Sequence, residues 1–165
     1  MKFSTRARYG LRALIDLGMY SETESVSLQS IADRQGISMG YLEQLMALLK
    51  KAGYVKSSRG ACGGYRLAMS ASEISVGDVL RVLEGSLEAV ECAGNEDSGG
   101  CTGADLCVAK YVWKRINDSI TQAVDTLTLG ELICESIKVQ EKNQGQGQQR
   151  GSGVICPNSR TKNEE

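Results

Sequence analysis

Between Ser27 and Leu67 the hydrophobic period of the chain switches from helical to extended, and that switch restricts the fold more than any other feature. Ser27 can cap a short helix running to Gln35, with Leu28, Ile31 and Ala32 inward and Gly36 as a left-handed stop. Ser38 can cap the next helix, with Leu42, Leu45, Met46 and Leu49 on one face. Lys50 and Lys51 fall in its last turn, where cations suit the helix dipole. Tyr54-Val55-Lys56 and Tyr65-Arg66-Leu67 are β-type runs, and the glycine-rich connection from Ser57 to Gly64 predicts a hairpin. Ala32 four residues ahead of Gly36, followed by Ile37, Leu42 and Leu45, has the spacing of a helix-turn-helix. With the hairpin behind it, the unit reads as a winged helix. The competing interpretation is an ordinary three-helix core with a glycine in one turn, since this spacing alone has many false matches.

The flanking segments fit that plan. Ala7 to Tyr20 carries apolar residues at nearly helical spacing, and Val76, Val79, Leu80 and Leu83 form one face of a further short helix. Residues 84–104 are acidic and glycine-bearing, without periodicity. Val108, Val112, Ile116, Ile120, Val124 and Leu127 then make the longest amphipathic stripe in the chain. That stripe is too apolar to be left bare on one small domain, so an antiparallel homodimer interface is expected. Thr128 and Glu131 form a capping box for a last helix, Leu129 to about Val139. From Gln140 the composition turns to Gln, Gly, Asn and charge, predicting a disordered tail. The fold class expected is mainly α with a small β-hairpin wing, a winged helix-turn-helix plus a long dimerisation helix. Its parts would be 1–83 for DNA binding, 84–107 as a cluster-binding loop, 108–139 for dimerisation and 140–165 as the tail.

Composition removes several activities. The 165 residues include no histidine, so Ser-His-Asp and Cys-His hydrolases, histidine proton shuttles and Cys₂His₂ zinc fingers are unavailable. No phosphate loop, acid–base carboxylate pair or activated nucleophile is evident, and an enzyme is not expected. The net charge of −1 hides an uneven distribution: residues 1–83 hold 11 Lys and Arg against 7 Asp and Glu, while 84–165 hold 8 against 13. The first half suits a phosphate polymer and the second does not. Met1 to Gly10 lacks a secretion signal and no run reaches the ~18–20 apolar residues of a membrane span. A cytoplasmic protein with no membrane partner is therefore expected, and there six cysteines are poor candidates for a disulfide framework.

The polar residues left outside on the third helix include Ser38, Tyr41, Glu43 and Gln44. Gln can read adenine bidentately, Glu can accept from the cytosine amino group, and Ser or Tyr can reach phosphate or base edges. Glu43 is the candidate specificity gate, because an unpaired carboxylate against phosphate or a wrong base is costly. Arg59 at the glycine-rich tip suits a minor groove, and Lys56 a phosphate. Each charge taken singly is equally a solvated surface group; together they favour double-stranded DNA. The second constellation is Cys92-x₈-Cys101-x₅-Cys107, three thiols in a loop with almost nothing apolar to bury them. An iron–sulfur cluster or a structural zinc would each fit. Cys134 lies in an apolar helix and reads as packing, while Cys62 and Cys156 are isolated.

The run from Met1 to about Val139 resembles the family of small winged-helix regulators typified by IscR, NsrR and CymR. The resemblance rests on Arg8-Tyr9-Gly10-Leu11-Arg12, Gly40-Tyr41-Leu42-Glu43-Gln44-Leu45, Ser58-Arg59-Gly60 and Gly63-Gly64-Tyr65. Val76-Gly77-Asp78-Val79, Leu83-Glu84-Gly85 and Thr128-Leu129-Gly130-Glu131-Leu132 extend it. The IscR-type resemblance implies a homodimer on a pseudo-palindromic operator, controlling iron–sulfur cluster biogenesis genes. It also implies a 2Fe–2S cluster on Cys92, Cys101 and Cys107. NsrR-like members resemble one another in an acidic residue where this chain has Arg8, and CymR-type members lack the three cysteines. The alternative implied is a cluster-free repressor of the CymR type, controlled by a protein partner or by thiol redox state. One position departs: IscR-type proteins resemble Cys-x-x-His at the third cysteine, and Lys110 stands here in that place. The fourth ligand is then not histidine, and Glu96, Asp97, Asp105, Lys110, another cysteine or a residue from a partner chain are the candidates. A lysine ligand would have to lose a proton held with a reference pKa of ~10.4.

Overall fold

The computed structural model describes residues 3–21, 24–60, 63–90 and 106–144. Helix α1 (Thr5–Tyr20) begins where the Ser4 hydroxyl accepts the Ala7 amide. The Glu84 carboxylate in turn accepts both the Ser4 backbone N–H and its hydroxyl. A negative group thus sits at the positive end of α1 and fixes it to the end of α4 (Val76–Glu84). Helix α2 (Leu28–Gln35) is capped by Ser27 and stopped by Gly36 at φ 63°, a left-handed turn that favours glycine. Helix α3 (Met39–Lys51) follows at once. Leu14 and Leu17 of α1, Ile31 of α2 and Leu42, Leu45, Met46 and Leu49 of α3 are fully buried together with Val79 and Leu83 of α4. Each such side chain contributes about 2 kcal/mol of transfer free energy, which is what orients three helices that are individually too short to be stable.

Strands β1 (Val55–Ser58) and β2 (Gly64–Leu67) pair antiparallel, with Val55 opposite Leu67 and Lys56 opposite Arg66. The hairpin is docked through its backbone. Val26 and Tyr65 exchange both N–H···O bonds, each 2.8 Å. Gly64 makes this possible, because a Cβ there would lie 2.6 Å from the Val26 carbonyl oxygen and 2.8 Å from its carbon. Backbone cannot give way as a side chain can. Gly64→Ala is expected to break both Val26–Tyr65 bonds at a cost of about 2 kcal/mol, two net hydrogen bonds, and release the wing from the helices. Hydrogen exchange at the Val26 and Tyr65 amides should lose its protection; unchanged protection would mean the strand accommodates the methyl.

A 3₁₀ turn (Ala71–Glu73) leads into α4, and α5 (Ala109–Asp125) and α6 (Leu129–Gln144) complete the fold. The α5–α6 corner is stitched to the start of α4 by Val76 N–H to Leu127 O and Leu129 N–H to Ile74 O, both 2.9 Å. The expected capping box is present: Glu131 accepts the Thr128 amide and hydroxyl, and Thr128 accepts the Glu131 amide. Those bonds from Thr128 hold the Glu131 carboxyl below its ordinary range.

Two sequence expectations change. The last helix runs to Gln144 rather than Val139, so residues 140–144 are helical and not part of a disordered tail. Glu141, Lys142 and Gln144 are sound helix formers, and the first breaker is Gly145, outside the described residues. The α5 stripe also divides. Ile120, Val124 and Leu127 pack against this chain's own core, whereas Leu106, Val108, Tyr111 and Val112 ahead of them are exposed, Val108 at 78%. No helix among the described residues is long and apolar enough to cross a membrane.

Candidate nucleic-acid interface

Helix α3 rests its apolar face on α1 and turns the rest outward. Glu43 and Gln44 are exposed and Tyr41 is half-buried. Ser38 stands at the N-cap, yet its hydroxyl makes no capping bond, which leaves it available to a ligand. Tyr41 is held from behind: its ring meets Tyr9 of α1 edge to face at 6.3 Å and 88°. The Arg12 guanidinium lies 5.2 Å over the Tyr9 ring, donates to the Gln35 carbonyl at 3.0 Å, and donates through Nε to Gln35 Oε1. Gln35 then donates to Asp16 at 2.8 Å.

Asp16 is the centre of the arrangement. Only 3% exposed on the inner face of α1, it accepts from Arg34 of α2 through Nε at 3.1 and 3.0 Å and through Nη2 at 2.6 Å. These hydrogen bonds raise the Arg34 pKa above its ordinary value, and the guanidinium also covers the Tyr20 ring at 4.2 Å. One polar chain therefore runs from Arg34 through Asp16, Gln35, Arg12 and Tyr9 to Tyr41. Sequence reasoning missed all of these except Tyr41. The available signal was an aspartate among Ala13, Leu14 and Leu17 on the buried face of a helix.

The wing carries Arg59, exposed beside Gly60, whose φ of 112° makes the tip. Lys50 of α3 donates to Ser57 at 2.5 Å and Ser25 bonds Ser58 at 2.9 Å, so the wing is fixed relative to the reading helix. Lys56 stands apart from the other DNA candidates. With Arg66 it lines a cavity of about 590 Å³ that reaches Ile133 of α6, while Ser57 on the opposite strand face meets α3.

Of the three loop cysteines, Cys107 is described: it is a free, exposed thiol just ahead of α5. Its carbonyl accepts the Lys110 amide at 3.2 Å, so both residues sit in the turn that opens the helix. Cys92, Cys101, Glu96, Asp97, Asp105, Cys62 and Cys156 lie outside the described residues, and among the described ones no three metal-ligating side chains cluster. Cys134 is buried and disulfide-bonded, so packing is not its whole role. Helix α5 touches the DNA-binding unit at two polar points. Asn117 accepts the Ala89 amide at 2.8 Å, and Asp125 pairs with Arg81 of α4 at 2.7 and 2.9 Å. The Asn117 Nδ2 is buried with no partner among the described residues.

Comparison with known proteins gives one consistent answer. The family described as "Rrf2: Iron-dependent Transcriptional regulator" matches residues 3–135. The HTH-type transcriptional regulator IscR of Enterobacter sp. (strain 638) is 40% identical over 152 residues, covering 91% of each chain. IscR of Escherichia coli (strain K12 / DH10B) is 41% identical over 133 residues, 81% of this chain and 80% of that one. Among solved structures, T. potens IscR is 40% identical with a TM-score of 0.64, covering 92% of this chain and 94% of that one. CymR, the global cysteine regulator of B. subtilis, is 40% identical with a TM-score of 0.68, covering 82% of this chain and 98% of that one.

Proposed function

This chain belongs to the Rrf2 family of winged-helix transcriptional regulators, and from that premise we propose that it senses iron–sulfur cluster status through a 2Fe–2S cluster and controls cluster-biogenesis genes. DNA-binding transcription regulation is the family's activity, and cluster sensing goes a step beyond it. The observation that carries it is Cys107, a free thiol exposed at the mouth of α5 on the loop that also bears Cys92 and Cys101. A soft thiol donor with no packing role fits a cluster ligand. We assign Cys92, Cys101 and Cys107 as ligands, with a fourth that is not histidine; Lys110 shares the turn with Cys107. When bound, the cluster supplies an iron- and redox-dependent cross-link among those thiolates.

The chain's own residues then transmit loop order. Cys107 precedes α5, and α5 reaches α4 through Arg81–Asp125 and the loop's stem through Asn117–Ala89. Helix α4 packs on both α1 and α3, so a shift of α5 changes how α3 is presented. Such a switch needs a cluster that binds the two arrangements with different affinity. The exposed apolar half of α5, with Leu106, Val108, Tyr111 and Val112, supports a homodimer. Two copies of α3 would enter successive major grooves of a pseudo-palindrome, about 34 Å apart. Ser38, Tyr41, Glu43 and Gln44 would read bases or phosphates there, Arg59 the minor groove, and Lys56 a phosphate.

A second reading is a cluster-free repressor of the CymR type, favoured by the equal identity to CymR of B. subtilis. Anaerobic reconstitution separates the two. The first requires brown protein with visible absorbance, stoichiometric iron and sulfide, and binding to a panel of operators that differs between loaded and unloaded forms. Colourless protein with unaltered DNA binding would leave the second, and tightly held zinc would mean a structural metal.

A further inference from the structure

Between the first turn of α1 and the outer flank of α3 lies a cavity of about 420 Å³, lined by Arg6, Tyr41, Gln44, Leu48 and Lys51 among others. The four α3 residues recur at helical spacing and so share one side of that helix. Arg6 and Lys51 are both exposed, and neither makes an ion pair among the described residues. Glu84, the carboxylate at the start of α1, is already taken by Ser4. Two uncommitted cations therefore flank a groove whose wall includes Tyr41 and Gln44, two of the residues assigned to DNA.

Distance along the helix decides what the cations can reach. Lys51 is seven residues beyond Gln44, about 10 Å of axial rise. The major groove is about 12 Å wide, so a helix whose Gln44 meets a base edge brings Lys51 to the phosphate strand bordering the groove. Arg6, across the cavity on α1, approaches the same strand from the other side. We propose that Arg6 and Lys51 clamp a backbone phosphate of duplex DNA at the mouth of this cavity, beside Tyr41 and Gln44. The clamp rests on DNA binding by this face but not on the cluster, and it positions α3 without reading sequence. The competing role for Lys51 is compensation of the α3 dipole. That role acts on stability and has no bearing on counterion release.

The test uses the full chain and a random-sequence duplex, because phosphate recognition needs no operator. Arg6→Gln and Lys51→Gln should each flatten the plot of log affinity against log salt by about 0.9, the slope carried by one neutralised phosphate. At about 0.15 M salt each variant should bind roughly fivefold more weakly, a difference that vanishes toward 1 M. Lys142→Gln on α6 removes the same charge elsewhere and should leave the slope unchanged. Unaltered slopes in both clamp variants, or an equal change in Lys142→Gln, overturn the clamp. No salt-dependent duplex binding by the wild-type chain would overturn the DNA-binding premise itself. Thermal melts of all variants should coincide within a few degrees; a melt shift with an unaltered slope would leave Lys51 with the dipole role alone.

Discussion

Cys107→Ala is expected to leave the chain folded and to remove its iron, its sulfide and its visible absorbance together. The side chain is exposed ahead of α5, so its loss empties no part of the core. Exposed substitutions of that kind change stability by within about 0.5 kcal/mol. A cluster ligand has the opposite profile, because removing one of three thiolates takes away a metal bond that nothing nearby replaces. Cys134→Ala supplies the contrast: it removes a buried group on α6 and should lower stability while iron and sulfide stay at the wild-type level. Metal analysis, visible spectra and urea titrations of the two variants form a two-by-two comparison. Cys107→Ala retaining full iron and colour would remove it from the ligand set and with it the sensing mechanism.

The winged helix was legible because local chemistry agrees with the tertiary result along most of its length. Ser27 and Gly36 bracket α2 as their side-chain chemistry requires, and the hairpin register follows from Val55 and Leu67 facing inward. What stayed hidden depends on pairs distant in sequence. Asp16 and Arg34 look like surface charges until the two helices cross, and Glu84 looks like a helix-end acid until α1 starts beside it. The periodic α5 stripe overstated its own uniformity. Periodicity reports that a face is apolar but not which body covers it, and the two halves of that face meet different surroundings. Candidate DNA residues on α3 were readable because one exposed helix face carries them. Arg6 was not, since only folding brings the first turn of α1 alongside Lys51.

Arg34→Met is expected to be the most destabilising single change at the junction of α1 and α2, at about 3 kcal/mol. The value follows from an asymmetry in burial: Asp16 is 3% exposed and Arg34 32%. Removing the guanidinium strands the carboxylate with the Gln35 amide as its remaining hydrogen-bond donor, in a site that water cannot reach. Removing the carboxylate instead leaves an arginine that can turn outward or stay stacked on Tyr20, so Asp16→Leu should cost less, about 1 kcal/mol. Combining the two should recover much of the Arg34→Met loss, because an apolar pair has no charge left to desolvate. Urea unfolding of the four proteins would show this as midpoints that fall, fall slightly and recover at an unchanged slope. DNA binding adds a second axis. The same Asp16 accepts from Gln35, which holds Arg12 against Tyr9 and hence Tyr41, so the double variant should regain stability without regaining full affinity for DNA. If affinity returns along with stability, the polar chain serves folding alone and Tyr41 is placed by α3 without it.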